Sequence, residues 1–253
     1  MTSLAIHPSH APATLSRAWW IATGLALAGV MAWDASGLDL TVMGWLGNAQ
    51  GFPLRNNWWL ETVLHESARR AATVLYLILW AMVWRPLGVF KHFERHERLE
   101  MALGVTVALV TVSVLKHHSL TSCPWELQAF GGAASYVSHW QWGVTDGGGG
   151  RCFPGGHASS AFAYWALALP GLAALPGSKP YQTATRLLAL VLLAGVVLGT
   201  VQTLRGAHYP SHTLWTAWVC WVAAGAVRAG LAQWRGWRAQ ARRLVAMPAV
   251  GGD

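Results

Sequence analysis

Six apolar stretches, at roughly residues 18–33, 71–84, 101–115, 158–175, 187–204 and 214–227, decide what this chain can fold into. Backbone N–H and C=O groups that enter a hydrocarbon layer must be bonded internally, and a helix does this within a single segment. Several of the six fall short of the roughly 20 residues that cross such a layer. Trp19, Trp20, Trp33, Trp84, Trp165 and Trp215 lie near their ends, however, where indoles mark the two interfaces of a span. Only 11% of the 253 residues are charged, against about 25% in a soluble domain. The expectation is an all-α, polytopic membrane protein with six transmembrane helices. The first stretch also admits a reading as a cleaved signal peptide, with Arg17 ahead of its core. Against that reading, the core runs into Met31-Ala-Trp-Asp34 with no A-x-A-like site.

Basic residues set the expected orientation. With the N-terminus inside, the inner segments hold Arg17, Arg85, Lys91, Arg95, Arg98, Lys179, Arg186, Arg228, Arg235, Arg238, Arg242 and Arg243, or 12 of the 18 Lys and Arg. The outer segments hold Arg55, Arg69, Arg70, Lys116, Arg151 and Arg205. This bias follows the positive-inside rule; the expectation is a multi-pass protein of a bacterial inner membrane. The net charge of +8 calls for no nucleic acid; a basic C-terminal segment resting on anionic lipid accounts for it. Residues 1–16, polar and Pro-containing, are expected to be a disordered tail, 17–243 a single six-helix domain, and 244–253 a C-terminal tail. In the first outer loop, Trp58-Trp-Leu-Glu-Thr-Val-Leu-His65 reads as an amphipathic helix at the interface, with His65 and Glu66 in its packing.

Histidines divide the opposite way from the basic residues. His65, His117, His118, His139, His157, His208 and His212 fall in outer segments. Two of these segments carry chemistry: Cys152-Phe-Pro-Gly-Gly-His157, and Arg205-Gly-Ala-His208-Tyr-Pro-Ser-His212. Each sets an imidazole beside glycine at the mouth of an apolar helix, where free N–H groups and a nearby cation suit a phosphate. Two such mouths point to phosphoryl chemistry, one histidine attacking and the other donating a proton. The bland reading of His117, His118 and His139 is that they are interfacial histidines.

Three outer segments together resemble the type 2 phosphatidic acid phosphatase superfamily, the integral-membrane relatives of vanadium haloperoxidases, whose signature is K-x6-R-P, P-S-G-H and S-R-x5-H-x3-D. Here the first segment runs from Lys116 to Cys123-Pro124, with Cys123 in place of Arg. The second is Pro154-Gly155-Gly156-His157, with Gly155 in place of Ser. The third keeps His208, but Val201, Gln202 and His212 stand where Ser, Arg and Asp belong. The resemblance implies a metal-independent phosphatase with no cofactor and its active site at the outer, periplasmic face. His208 would attack phosphorus, His157 would protonate the leaving oxygen, and His212 would orient His208. Lys116, Arg205, Gln202, Gly155 and Gly156 would hold the phosphate, Arg205 replacing the lost arginines; the plain alternative is that Arg205 anchors its helix at the interface. His212 brings no negative charge, and Glu126, Asp146 and Glu66 are the candidates to supply it.

Motifs that meet at one phosphate also bring Cys123 and Cys152 together, and an oxidising compartment then favours a disulfide. The competing reading is a Cys/His zinc site with His117, His118 or His157. Cys220, in mid-span, reads as a packed apolar side chain. The resemblance implies a lipid phosphate or diphosphate as substrate: a polyprenyl diphosphate, phosphatidate, phosphatidylglycerol phosphate or lipid A. The alternatives are a lipid-to-lipid phosphotransferase and a non-catalytic lipid-phosphate binding protein or transporter.

Overall fold

The computed structural model describes residues 15–245, and at 243–245 the backbone only. The two expected tails therefore fall almost wholly outside the described residues; at their inner edges Ser16 is a helix cap and residues 244–245 are helical. Helix α1 (Arg17–Ser36) opens on Ser16, whose hydroxyl accepts from Trp19 N at 3.1 Å, and it ends at Gly37 with a left-handed φ of 68°. That glycine turns the chain by 67° into α2 (Leu38–Leu46). Nine π-wound residues (Trp59–Ser67) lead without a break into α3 (Ala68–Trp84). Helix α4 (Arg95–His118) starts from a reciprocal cap between Glu94 and Glu97. After a long loop come α5 (Gly156–Phe162) and α6 (Leu169–Leu172), then α7 (Lys179–Leu204) and α8 (Pro210–Val245). No strand occurs among the described residues.

Four helical runs, Trp59–His92, Arg95–His118, Lys179–Leu204 and Pro210–Arg242, are long and apolar enough to cross a membrane, and the bent pair α1–α2 makes a fifth if it counts as one span. The expected span over 158–175 is not a single long helix. It passes from α5 through 3-10 turns (Ala163–Leu167) into α6, where Pro170 has no N–H to donate and its ring crowds the carbonyl four residues back. The segment 58–65, expected to lie flat at the interface, is instead the entry of the α3 run.

The broken helix tolerates its irregular backbone because protein surrounds it. Every residue from Ala161 to Gly171 is buried, in contact with α4, α7 and α8. Small residues allow the close approach: a Cβ on Gly104 of α4 would stand 2.7 Å from the Cβ of Ala166. Trp165 is therefore core and not interfacial; it stacks on Phe162 with ring centroids 5.5 Å apart. Trp19 and Trp215 are buried too, whereas Trp20 and Trp84 are exposed. The outward faces of α1, α3 and α7 carry exposed Leu25, Leu75, Leu77, Leu190 and Leu193, a surface suited to lipid. Together with the apolar runs, this marks a multi-pass membrane protein.

The two ends of the bundle differ. At one end, Glu100 of α4 is buried against Arg228 of α8, with Arg235 at 3.5 Å. At the other end, the histidines gather. Gly104→Leu is expected to cost about 1–3 kcal/mol by overpacking, read as a lower melting temperature in detergent. Gly24→Ala, where nothing lies within 4 Å, is expected to leave it unchanged or slightly raised.

Candidate active site

Several elements meet at the histidine-bearing end and deliver the pieces of the site. The last turn of α4 carries Lys116. The loop that follows folds back on it, with Arg151 N donating to Ser119 O at 2.8 Å and Cys152 N to Thr121 O at 2.9 Å. A disulfide between Cys123 and Cys152 locks the return, closing a sequence separation of 29 residues. Lys116 Nζ donates to the Arg151 carbonyl at the mouth of α5. Its aliphatic stem passes Gly156 so closely that a Cβ there would stand 3.3 Å from Lys116 Cδ.

The His208 turn joins α7 to α8. Gln202 O accepts from Ala207 N at 2.8 Å and His208 N at 3.3 Å, so Gln202 holds the turn by its main chain. Gly206 adopts φ 74°, and a Cβ there would stand 2.2 Å from the Phe52 ring; only glycine fits that turn. His208 is buried, with Nδ1 3.5 Å from His212 Nδ1 and 3.4 Å from Cys152 Sγ. If His208 donates from Nδ1 to His212, its Nε2 keeps a free lone pair. The ring of His157, in the first turn of α5, lies 6.3 Å from that of His208 between centroids. Gly155 N donates to His212 O at 3.2 Å, and Thr216 Oγ1 bonds both Gly155 O and His212 O, tying the two histidine-bearing helices together.

Burial, followed by the charge of Lys116, pushes the His208 imidazole well below its ordinary range. Burial, then His65 and Lys116, pushes His157 down to about 3. Both imidazoles are therefore neutral at pH 7 until something brings negative charge between them.

Arg205, at the end of α7, is buried; its Nε donates to Arg55 O at 2.9 Å and its guanidinium pairs with Glu61 at 3.1 Å. It is held by a carboxylate from the π-wound segment, not merely set at the interface. That segment also brings His65, which sequence reading assigned to packing, into contact with His157 through their Nε2 atoms. Read as a separate interfacial helix, the segment hid both residues. Joined to α3, it brings His65 to the same end of the bundle as His157.

None of the three carboxylates proposed to back His208 does so. Asp146 accepts from Ser122 N at 2.6 Å, Ser122 Oγ at 2.7 Å and Gly148 N at 3.0 Å. Glu126 accepts from Cys123 N at 2.8 Å and Gly149 N at 3.2 Å. Both satisfy the loop's own donors, and Glu66 pairs with Arg70 at 3.4 Å. The acidic groups nearest the α8 mouth come instead from the bend between α1 and α2. Asp39 accepts from Ser211 N at 3.0 Å, and Asp34 accepts from the Trp215 indole at 2.7 Å and lies 3.3 Å from His139 Nε2. His139 in turn lies 5.9 Å from the His212 ring. No spacing along the chain foretold these contacts.

A metal is a second possible use of this corner, since Cys123, Cys152 and His208 offer ligand atoms within 4.8 Å of one another. Both sulfurs are spent in the disulfide, however, and a disulfide has no thiolate to give a zinc ion.

The sequence model of the PAP2 superfamily matches residues 98–235, from the first turn of α4 to well inside α8. The chain belongs to the PAP2 superfamily. No curated protein and no solved structure matches it. Members of the superfamily are phosphatases, which supports a phosphoester hydrolase acting on phosphorylated substrates. The match contains Lys116, Cys123, Cys152, His157, Arg205, His208 and His212, and leaves out Asp34, Asp39, Glu61 and His65.

The disulfide closes the loop on which Lys116 rests. Cys123→Ser is expected to lower stability by about 3 kcal/mol in the chain-entropy model, read as a lower melting temperature, and to lower activity. Mass analysis without reduction checks the bond itself; free thiols at both positions in protein taken from its membrane would contradict it.

Proposed function

We propose that this PAP2 protein is a metal-independent phosphatase of lipid phosphates or diphosphates, working through a phosphohistidine at the outer leaflet of a bacterial inner membrane. The observation that carries the reading is the pair of imidazoles, buried His208 and half-buried His157, with ring centroids 6.3 Å apart and two cations beside them. A nucleophile stands about 3–3.5 Å from the atom it attacks, and a proton donor about 3 Å from its oxygen. Rings at that separation stand close enough for one phosphoryl group to engage both. Phosphoryl transfer asks little more than this alignment and charge around the equatorial oxygens.

The contacts support the following roles. His208 attacks through Nε2, while His212 holds its Nδ1. His157 protonates the leaving oxygen. Lys116 and Arg205 neutralise the nonbridging oxygens, and the backbone at Gly155 and Gly156 lets the phosphate come close. Gln202 adds a neutral donor if its amide turns toward the phosphate. Substrate competes with Glu61 for Arg205, so binding must release that pair. The exposed aliphatic faces suit a substrate whose tail stays in the bilayer while its headgroup enters the histidine end.

Phosphate release from a panel of lipid phosphates and diphosphates tests the activity. Wild-type protein dialysed against EDTA is expected to release phosphate to water, and His208→Ala to lose both turnover and any trapped phosphoenzyme. His208→Ala activity within tenfold of wild type would refute the nucleophile. Label passing to a second lipid would mean phosphotransfer instead, and neither outcome would leave a binding protein. Orientation has its own test in intact cells. A cysteine placed near Gly148 is expected to react with an impermeant thiol reagent and one near Lys179 to be shielded; the reverse pattern would put the site in the cytoplasm.

A further inference from the structure

Nothing in the three sequence motifs accounts for the His65–His157 contact. The two residues are 92 positions apart and come from different helices, yet their Nε2 atoms face each other at hydrogen-bonding distance and their rings lie 3.9 Å apart between centroids. A neutral imidazole has one N–H and one lone pair. The contact uses one nitrogen of each ring, and the other, Nδ1, is buried without a partner on both. Two imidazoles joined in this way can hold three protons over four nitrogens: one on each Nδ1 and one shared between the Nε2 atoms. That arrangement carries a single positive charge, whereas a lone neutral His157 that gave up its proton would be left as an imidazolate.

We propose that His65 and His157 act as one acid, with His65 the positioning and proton-relay partner of His157. The inference rests on His157 being the proton donor of the reaction. The extra proton arrives with the substrate as a phosphate monoanion. As His208 Nε2 bonds to phosphorus and the bond to the lipid oxygen breaks, His157 Nδ1 gives its proton to that oxygen. The shared proton settles on His157 Nε2, and both rings end neutral. When water splits the phosphohistidine, His157 takes a proton from it by the reverse path. Glu61, one turn before His65 on the same π-wound segment, ties that segment to Arg205 at 3.1 Å. The segment thus aligns the acid and one phosphate cation together. A π-wound stretch at such a place fits the usual association of these turns with functional sites.

Leaving-group dependence provides the test, because a merely structural role would not produce it. Lipid phosphates leave as alkoxides and need the proton; p-nitrophenyl phosphate leaves as a stable phenolate and does not. His65→Gln keeps a polar side chain but cannot relay. It is expected to lower kcat on a lipid phosphate about 100-fold while changing p-nitrophenyl phosphate turnover less than threefold, the same selectivity as His157→Ala. Equal losses on both substrates, or no loss on the lipid, would overturn the proposal. Should His65→Gln melt early, His65→Ala assayed with added imidazole decides instead: recovered lipid turnover supports the pair, and none rejects it. His208→Ala must lose both substrates; if it does not, the phosphohistidine reading itself has failed, whatever His65 does.

Discussion

The clamp between Gly155 and the first turns of α8 is the interaction on which the rest of the site depends. Gly155 N bonds His212 O, and Thr216 Oγ1 reaches both carbonyls. These bonds fix the mouth of a broken central helix against the start of the last one, and so fix His157 relative to His208. Polar links of this kind gain strength where water is excluded and cost heavily when broken. Here they lie among residues that are wholly buried, with His212 and Thr216 at 0% exposure. The remaining pieces, including the disulfide loop, the Asp39 cap on Ser211 and the π-wound segment, are braced against this pair of helices.

Much of this was legible in the sequence, and what was not has a physical reason. The apolar runs at 101–115, 187–204 and 214–227 became α4, α7 and α8, because an uninterrupted apolar stretch with capped ends leaves a helix little alternative. Residues 158–175 were equally apolar, but Pro170 and a run of small residues let that segment break and still be enclosed on all sides. Hydropathy does not distinguish a helix that faces lipid from one that faces other helices.

The site divides along the same line. His157, His208, Lys116, Cys123 and Cys152, far apart in three motifs, come together at one end of the bundle. Glu61, His65, Asp34 and Asp39 arrive from α1, α2 and the π-wound entry to α3, outside the motif-bearing stretch. The sequence offers no way to choose among Glu126, Asp146 and Glu66 as the carboxylate behind His208. Asp146 and Glu126 instead satisfy loop N–H groups, the commoner fate of an acidic residue in a buried turn.

Helix α8 carries His212 in its first turn and Arg228, paired with Glu100, sixteen residues later. At 1.5 Å per residue that is about 24 Å, close to the depth of a bilayer's hydrocarbon. One continuous rod thus acts as a ruler, holding the imidazole cluster and the buried ion pair at a set separation. If the substrate is a lipid, as proposed, its headgroup would be met at one fixed height whatever the length of its tail. A bilayer thinner or thicker than the rod must be absorbed by tilt of the bundle or by local deformation of the lipid, so bilayer thickness becomes a control on the height at which the histidine end sits relative to the membrane surface.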